Sequence, residues 1–280
     1  MSRLRVVTWN AEGMFVEGTK TRRASPHDAL DVLKNLDADI LVIPEFGRLA
    51  DLKDEIATAI SALGYELVSL AYDEPRTPGL GFVMLSRLPI HETIVHSLAH
   101  SKRQLLELVC EDEVGTRIHV FGVHLDDRSE SGRLMEAEAV SEIIHSRAGQ
   151  CILLLGDFNA MREDSWFARI ARSRLAHGVS RRLSHELLRS MAERVQEMAL
   201  GTTVAYLVAH TELHDLDPGR KRTISSKQAG LEWVPSWRLA KIDWVFASSQ
   251  ITSLRYRVMK DVGSDHRPVW ADIEIIDSKQ

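Results

Sequence analysis

Leu155-Gly156-Asp157-Phe158-Asn159-Ala160 closes the apolar run Cys151-Ile152-Leu153-Leu154-Leu155. A short continuous apolar run of this kind reads as a strand buried on both faces. Gly156 permits an unusual turn or a close approach of another backbone. Asp157 and Asn159, two residues apart, point to the same side if extended geometry persists. Taken alone, such residues at a strand end have an ordinary meaning, that of caps and turn formers.

Outward from this stretch the same pattern recurs. Residues 4–10 form an apolar run that ends at Asn10, Ile40-Leu41-Val42-Ile43 stops at Pro44-Glu45, and the run Arg117–His124 ends on an imidazole. Near the C-terminus, Gly263-Ser264-Asp265-His266-Arg267-Pro268 sets an oxygen ligand beside an imidazole. Strands of one sheet end along common edges, so five polar strand ends point to convergence on one cleft.

Helical patterns lie between these strands. Ser25 caps one, Pro26 suits its first turn, and Ala29, Leu30, Leu33 and Leu36 form its apolar stripe. Leu52, Ile56, Ile60 and Leu63 mark a second, stopped by Gly64. A third begins near Arg133 and turns Ala137, Val140 and Ile144 inward. Residues 65–125 are mostly β, with strands at Gly81–Leu85, Leu105–Cys110 and Arg117–His124 and a hairpin turn at Glu111–Gly115. Late strands are expected at Ile242–Phe246, Leu254–Val258 and Val269–Ile275, and residues 217–238 read as loop. Residues 164–200 carry two arginine-rich helical patterns, either solvated faces or a positive flank beside a phosphate site. His96, His100 and His119 are read as structural.

The chain has 280 residues, 44% hydrophobic and 27% charged, the composition of an ordinary globular protein. With 40 acidic against 35 basic residues and a net charge of -5, bulk charge does not hold it to nucleic acid. Its two cysteines, Cys110 and Cys151, lie in apolar runs and read as buried free thiols, which fits a reducing compartment. No secretory pattern opens the sequence, and no apolar run nears the roughly 18 residues that span a bilayer. A cytoplasmic location, no membrane insertion and one domain over residues 1–280 are expected; nothing in the sequence identifies a protein partner.

Seven segments resemble, in order, the endonuclease/exonuclease/phosphatase superfamily of deoxyribonuclease-I-like folds. They are Thr8-Trp9-Asn10, Pro44-Glu45, Gly81 through Pro89, Val123-His124-Leu125, Gly156-Asp157-Phe158-Asn159, Ile242-Asp243-Trp244 and Ser264-Asp265-His266-Arg267-Pro268. The resemblance implies an α/β fold, a four-layer α/β/β/α sandwich of two packed mixed sheets flanked by helices. It also implies a metal-dependent phosphoric ester hydrolase. Glu45 and Asn10, with Asp265 in a further, often water-mediated role, would hold Mg²⁺, with Mn²⁺ as the alternative. Asp157 would orient or deprotonate the attacking water, and Asn159 would hold a phosphate oxygen. His124 and His266 would contact the scissile phosphate, and Asp243 would orient His266.

His124 followed by Arg133 is similar to the histidine-containing branches of the superfamily, and Arg133 is accordingly read as substrate-binding. The tyrosine motif of the abasic-site branch is not found. Trp237 and Arg238, just before Ile242-Asp243, suit stacking on a base or sugar; a tryptophan pinning a long loop is the competing reading. The expected substrate is a phosphodiester, with DNA or RNA among the candidates. Phosphomonoesters or phospholipid and inositide headgroups are the alternative, and a non-catalytic binding module is the third reading.

Overall fold

Alternation along a strand sends every second side chain to one face, and here both faces of the central strands are apolar. Such strands need a layer on each side. The computed structural model has two six-stranded sheets packed face to face, with helices on both outer faces. The structure describes residues 1–17, 25–71, 80–98, 101–173, 186–217, 221–225, 240–260 and 262–276.

The first sheet is built from β1 (Ser2–Thr8), β2 (Ile40–Arg48), β3 (Glu66–Ala71), β4 (Leu80–Ser86), β11 (Ile251–Val258) and β12 (Val269–Ile275), in the order β11-β12-β1-β2-β4-β3. The second uses β5 (Ile90–Ser97), β6 (Gln104–Glu111), β7 (Arg117–His124), β8 (Cys151–Asp157), β9 (His214–Asp215) and β10 (Asp243–Ala247), in the order β5-β6-β7-β8-β10-β9. Each sheet is mixed through a single parallel pair, β1 with β2 and β7 with β8.

Three apolar layers hold the sandwich together. Val6, Val42, Phe82 and Met84 of the first sheet meet Leu108, Val120, Leu153, Leu155 and Val245 of the second. Helices α1 (Pro26–Leu36) and α2 (Asp54–Ala62) lay Leu30, Leu33, Ile56 and Ile60 against Val7, Leu41 and Val83. Helix α3 (Glu130–His145) and helix α6 (Thr202–His210) cover Phe121, Ile152 and Leu154 with Ala137, Val140, Ile144 and Leu207. The remaining helices, α4 (Trp166–Ala171) and α5 (Glu186–Met198), share a smaller apolar cluster with Met161.

Local chemistry accounts for most boundaries. Ser25 and Asp28 form a reciprocal capping box at α1, with Pro26 in its first turn. Ser129 caps α3 by accepting from the Gly132 amide, so the helix starts at Glu130, ahead of the expected Arg133. Strand β2 does not stop at Pro44-Glu45: after a bulge between Ile43 and Gly47 it pairs with β4 again. β3, β5, the short β9 and helix α6 are elements that the sequence reading did not delimit.

His96 and His119 do have a structural role. Both bond the fully buried Glu107 carboxylate, at 2.7 and 2.6 Å, and Arg147 closes the group at 3.0 and 3.2 Å. His100 lies outside the described residues. Burial pushes the Glu107 pKa up, but the bonds from His119, Arg147 and His96 win and hold it at about 2 against an ordinary 4.5. A depressed carboxylate stabilises the fold above its unfolded pKa, and that contribution is lost as pH falls from 4.5 toward 2. Glu107→Gln is therefore expected to cost on the order of 3 kcal/mol at pH 7. In urea unfolding the deficit should shrink between pH 5 and pH 3, and equal stability at pH 7 would show the cluster to be inert.

Candidate active site

The site is the continuation of the inter-sheet core past its apolar end. Leu153 and Leu155 face the first sheet, so Asp157, in the same alternation, faces it too. Ile118 and Val120 lead likewise to His124, and Ala247 and Val245 lead to Asp243. Register then sets the three abreast: His124 pairs with Asp157 across β7 and β8, and Asp243 pairs with Asp157 across β10 and β8. Gly156 lets the strands come this close. Its φ is 152°, and a Cβ there would lie 1.9 Å from the Val123 carbonyl oxygen.

The first sheet supplies the other wall. Beyond β1, Trp9 and Ala11 donate their amides to the carbonyls of Val42 and Pro44, which aligns Asn10 with the end of β2. Asn10 Nδ2 lies 3.0 Å from Asp157 Oδ2 and 3.4 Å from Glu45 Oε1. Ser264 ties the last segment to this wall, donating to the Asn10 carbonyl at 2.7 Å and accepting from the His266 amide at 3.0 Å.

Asp157 is the centre. His266 Nε2 stands 3.7 Å and His124 Nε2 3.8 Å from its Oδ2. His266 Nδ1 is held by both oxygens of Asp243, at 3.0 and 2.9 Å. Burial drives the Asp157 pKa up to about 7, opposed first by the charge of His266 and then by the bonds from Asn10 and Asn159, with Asp243 adding to the rise. Burial alone would lower the His266 pKa, but the charges of Asp243, Asp157 and Asp265 raise it well above the usual 6.5. Asn159 donates its amide to Asp157 Oδ1 and its Nδ2 to the Leu125 carbonyl.

At the rim stand Glu45, Asp265 and a residue the sequence reading passed over, Glu12. Its carboxylate accepts the Asp265 amide at 3.1 Å, and its pKa is pushed up to about 7 by burial, then by the charges of Asp265 and Glu45. The sequence signal for it was thin, an acid two residues past Asn10. Glu12, Glu45 and Asn159 all hold left-handed backbone, with φ of 49°, 49° and 48°, strain of the kind that clusters at functional sites.

These donors fit a hard cation. Three crowded carboxylates and an amide oxygen suit a divalent metal; burial first, and then the charges of Asp265 and Glu45, disfavour the ionised Glu12, and a cation would offset both. Among the described residues, Asp157, Asp243 and His266 also bring donor atoms within 4.8 Å of one another. His266 Nδ1 is already bonded to Asp243 there, whereas the rim offers only hard oxygen donors, the kind a divalent cation such as Mg²⁺ prefers.

One expected site residue is corrected. Arg133 has no exposed surface; it bonds Glu130 at 2.9 Å and the Asp126 carbonyl at 2.9 Å, so it braces the loop after His124 and does not reach substrate. Arg103, also buried, supports the same loop by donating to the carbonyls of His124 and Leu125. Trp237 and Arg238 lie outside the described residues, as do residues 174–185 of the arginine-rich stretch.

Comparison with curated proteins returned no match. Solved structures do match. An endonuclease/exonuclease/phosphatase family protein from Bacteroides thetaiotaomicron superposes with a TM-score of 0.67 at 17% identity, covering 99% of this chain and 98% of its own. A mannosyl-6-phosphatase from the same organism gives 0.66 at 17%, covering 97% and 100%. An AP endonuclease from Archaeoglobus fulgidus gives 0.61 at 14%, covering 97% and 100%. At such identities the likeness is one of fold. The family pattern, by contrast, matches in sequence over residues 7–266, nearly the whole described chain. This chain belongs to the Endonuclease/Exonuclease/phosphatase family, whose members are metal-dependent phosphoester hydrolases.

Proposed function

We propose that the chain, as one domain over residues 1–280, is a phosphodiesterase for a nucleic-acid or nucleotide-like ester, with Mg²⁺, or Mn²⁺ in its place, as the cation. The carrying observation is the buried Asp157 carboxylate flanked by the Nε2 atoms of two histidines, beneath an acidic rim. Glu45 and Asn10, with Asp265 and Glu12 beside them, would hold the metal. Bound there, it supplies positive charge to a phosphoryl oxygen.

The protein's own groups do the rest. A pKa near 7 suits Asp157 to take a proton from water at neutral pH. The water oxygen bonds phosphorus as the ester P–O bond breaks, and the departing oxygen leaves opposite the attack. His266, kept protonated by Asp243, and His124 donate toward the phosphoryl oxygens as charge grows on them. The second hydrogen of Asn159 Nδ2, whose first goes to the Leu125 carbonyl, serves the same oxygens.

The neighbouring loop supports a polyanionic substrate. Asp127, three residues past His124, faces three arginines: Arg103 at 3.1 Å, Arg194 of α5 at 3.4 Å and Arg128 at 4.0 Å. Arg128 and Arg194 are about half exposed, at 50% and 46%. Guanidiniums open to solvent beside the site favour a substrate with phosphates beyond the scissile one over a lone phosphomonoester. A cytoplasmic location fits the two buried free thiols, Cys110 and Cys151; no helix among the described residues is long and apolar enough to cross a membrane.

Asp157→Asn should lower turnover of bis-p-nitrophenyl phosphate by roughly 10³-fold or more while leaving the melting temperature near that of the parent. Near-normal activity would mean the water-activating role is misassigned. His266→Ala and Asp243→Ala should each be severe, and the double variant little worse than either; a simple product of the two losses would break the pairing. Arg128→Ala with Arg194→Ala should raise KM for an oligonucleotide and flatten its salt dependence, with little effect on bis-p-nitrophenyl phosphate. Equal effects on both substrates would remove the arginine flank from recognition.

A further inference from the structure

Asp243 and His266 act as a pair, yet they belong to opposite sheets. Asp243 opens β10 in the second sheet, while His266 precedes β12 in the first. Nothing in either sheet's own ladder keeps the two at 2.9 Å. A short strap, residues Thr223-Ile224-Ser225, runs between them and bonds to both sides.

Toward the second sheet, Thr223 donates its amide to the Ala240 carbonyl at 3.1 Å. Its Oγ1 accepts the amides of Ile242 at 3.1 Å and Asp243 at 3.2 Å. Toward the first sheet, the Thr223 carbonyl accepts the Arg267 amide at 2.8 Å, and the Ser225 amide donates to the Asp265 carbonyl at 2.7 Å. Ile224 and His266 form an antiparallel bridge. Thr223 itself has no exposed surface. The strap is anchored just upstream. The Lys221 amide donates to Asp217, and Asp217 with Asp215 holds the buried Lys241 at 3.0 to 3.2 Å, two residues before Asp243.

We propose that Thr223 is a positioning residue: its hydroxyl and backbone set the spacing of the Asp243–His266 pair across the seam between the sheets. The inference rests on the reading of that pair as part of the reaction. The hydroxyl oxygen is the specific element, because it takes two backbone amide hydrogens at the start of β10, those of Ile242 and Asp243. Valine keeps the shape and removes the acceptor; serine keeps the acceptor and removes a methyl group.

The test uses the full chain with Mn²⁺ and bis-p-nitrophenyl phosphate, comparing T223V and T223S with the parent. T223V should lose roughly 10- to 100-fold in kcat with KM within about twofold, and T223S should stay within about threefold in both. A second readout needs no activity: the low-field proton resonance of the His266 Nδ1–H, identified by its absence in H266N. It should persist in T223S and be lost or shifted in T223V. If T223V does not fold, T223A takes its place under the same two readouts. Wild-type kcat with an unmoved resonance in T223V, or T223S as impaired as T223V, overturns the proposal. A parent protein that keeps the resonance but hydrolyses no phosphodiester would instead overturn the function and leave the strap standing.

Discussion

A carboxylate with almost no exposed surface sits where two sheets meet, and burying its charge is costly unless neighbours compensate. Much of the site can be read as that compensation. Asn10 reaches across from the first sheet to donate to Asp157, Asn159 folds its amide back onto the same carboxylate, and His266 brings positive charge to within 3.7 Å. His266 in turn needs Asp243, and Asp243 needs the strap. Remove the buried acid and the reason for this chain of supports disappears.

The geometry that gathers these groups is the same alternation that builds the core. Rows of leucine and valine facing the opposite sheet simply change character at the strand ends, where the next residues in the row are His124, Asp157 and Asp243. The site therefore inherits the rigidity of the apolar layer beneath it. Its rim is less regular: a bulged β2 and left-handed backbone at Glu12 and Glu45 bring in the outer carboxylates.

This division explains what was legible in the sequence. Strand ends carrying Asn10, Glu45, His124, Asp157 and Asp265-His266 could be read because each abuts an apolar run, and the resemblance of the ordered segments supplied the layering. Glu12 was not legible, because its role depends on a left-handed turn that places it against Asp265, far away in sequence. Thr223 lies in a stretch with no periodicity, and only the meeting of two sheets gives it meaning. Arg133 misled in the other direction: α3 starts at Glu130, and the guanidinium is buried against Glu130. Helix α6, Thr202–His210, opens with β-branched residues whose helical tendency is weak and is overridden by packing on α3 and the second sheet.

The pairing of β1 with β12 has a temporal consequence. The Ser264 hydroxyl meets the Asn10 carbonyl across a separation of 254 residues. At roughly 5 to 20 residues added per second, the ribosome needs about 10 to 50 s to travel from one to the other. Through that interval β1 has no antiparallel neighbour on that side, and His266, the second of the two histidines that face Asp157, has not been made. The first strand of that sheet thus waits for one of the last to be made.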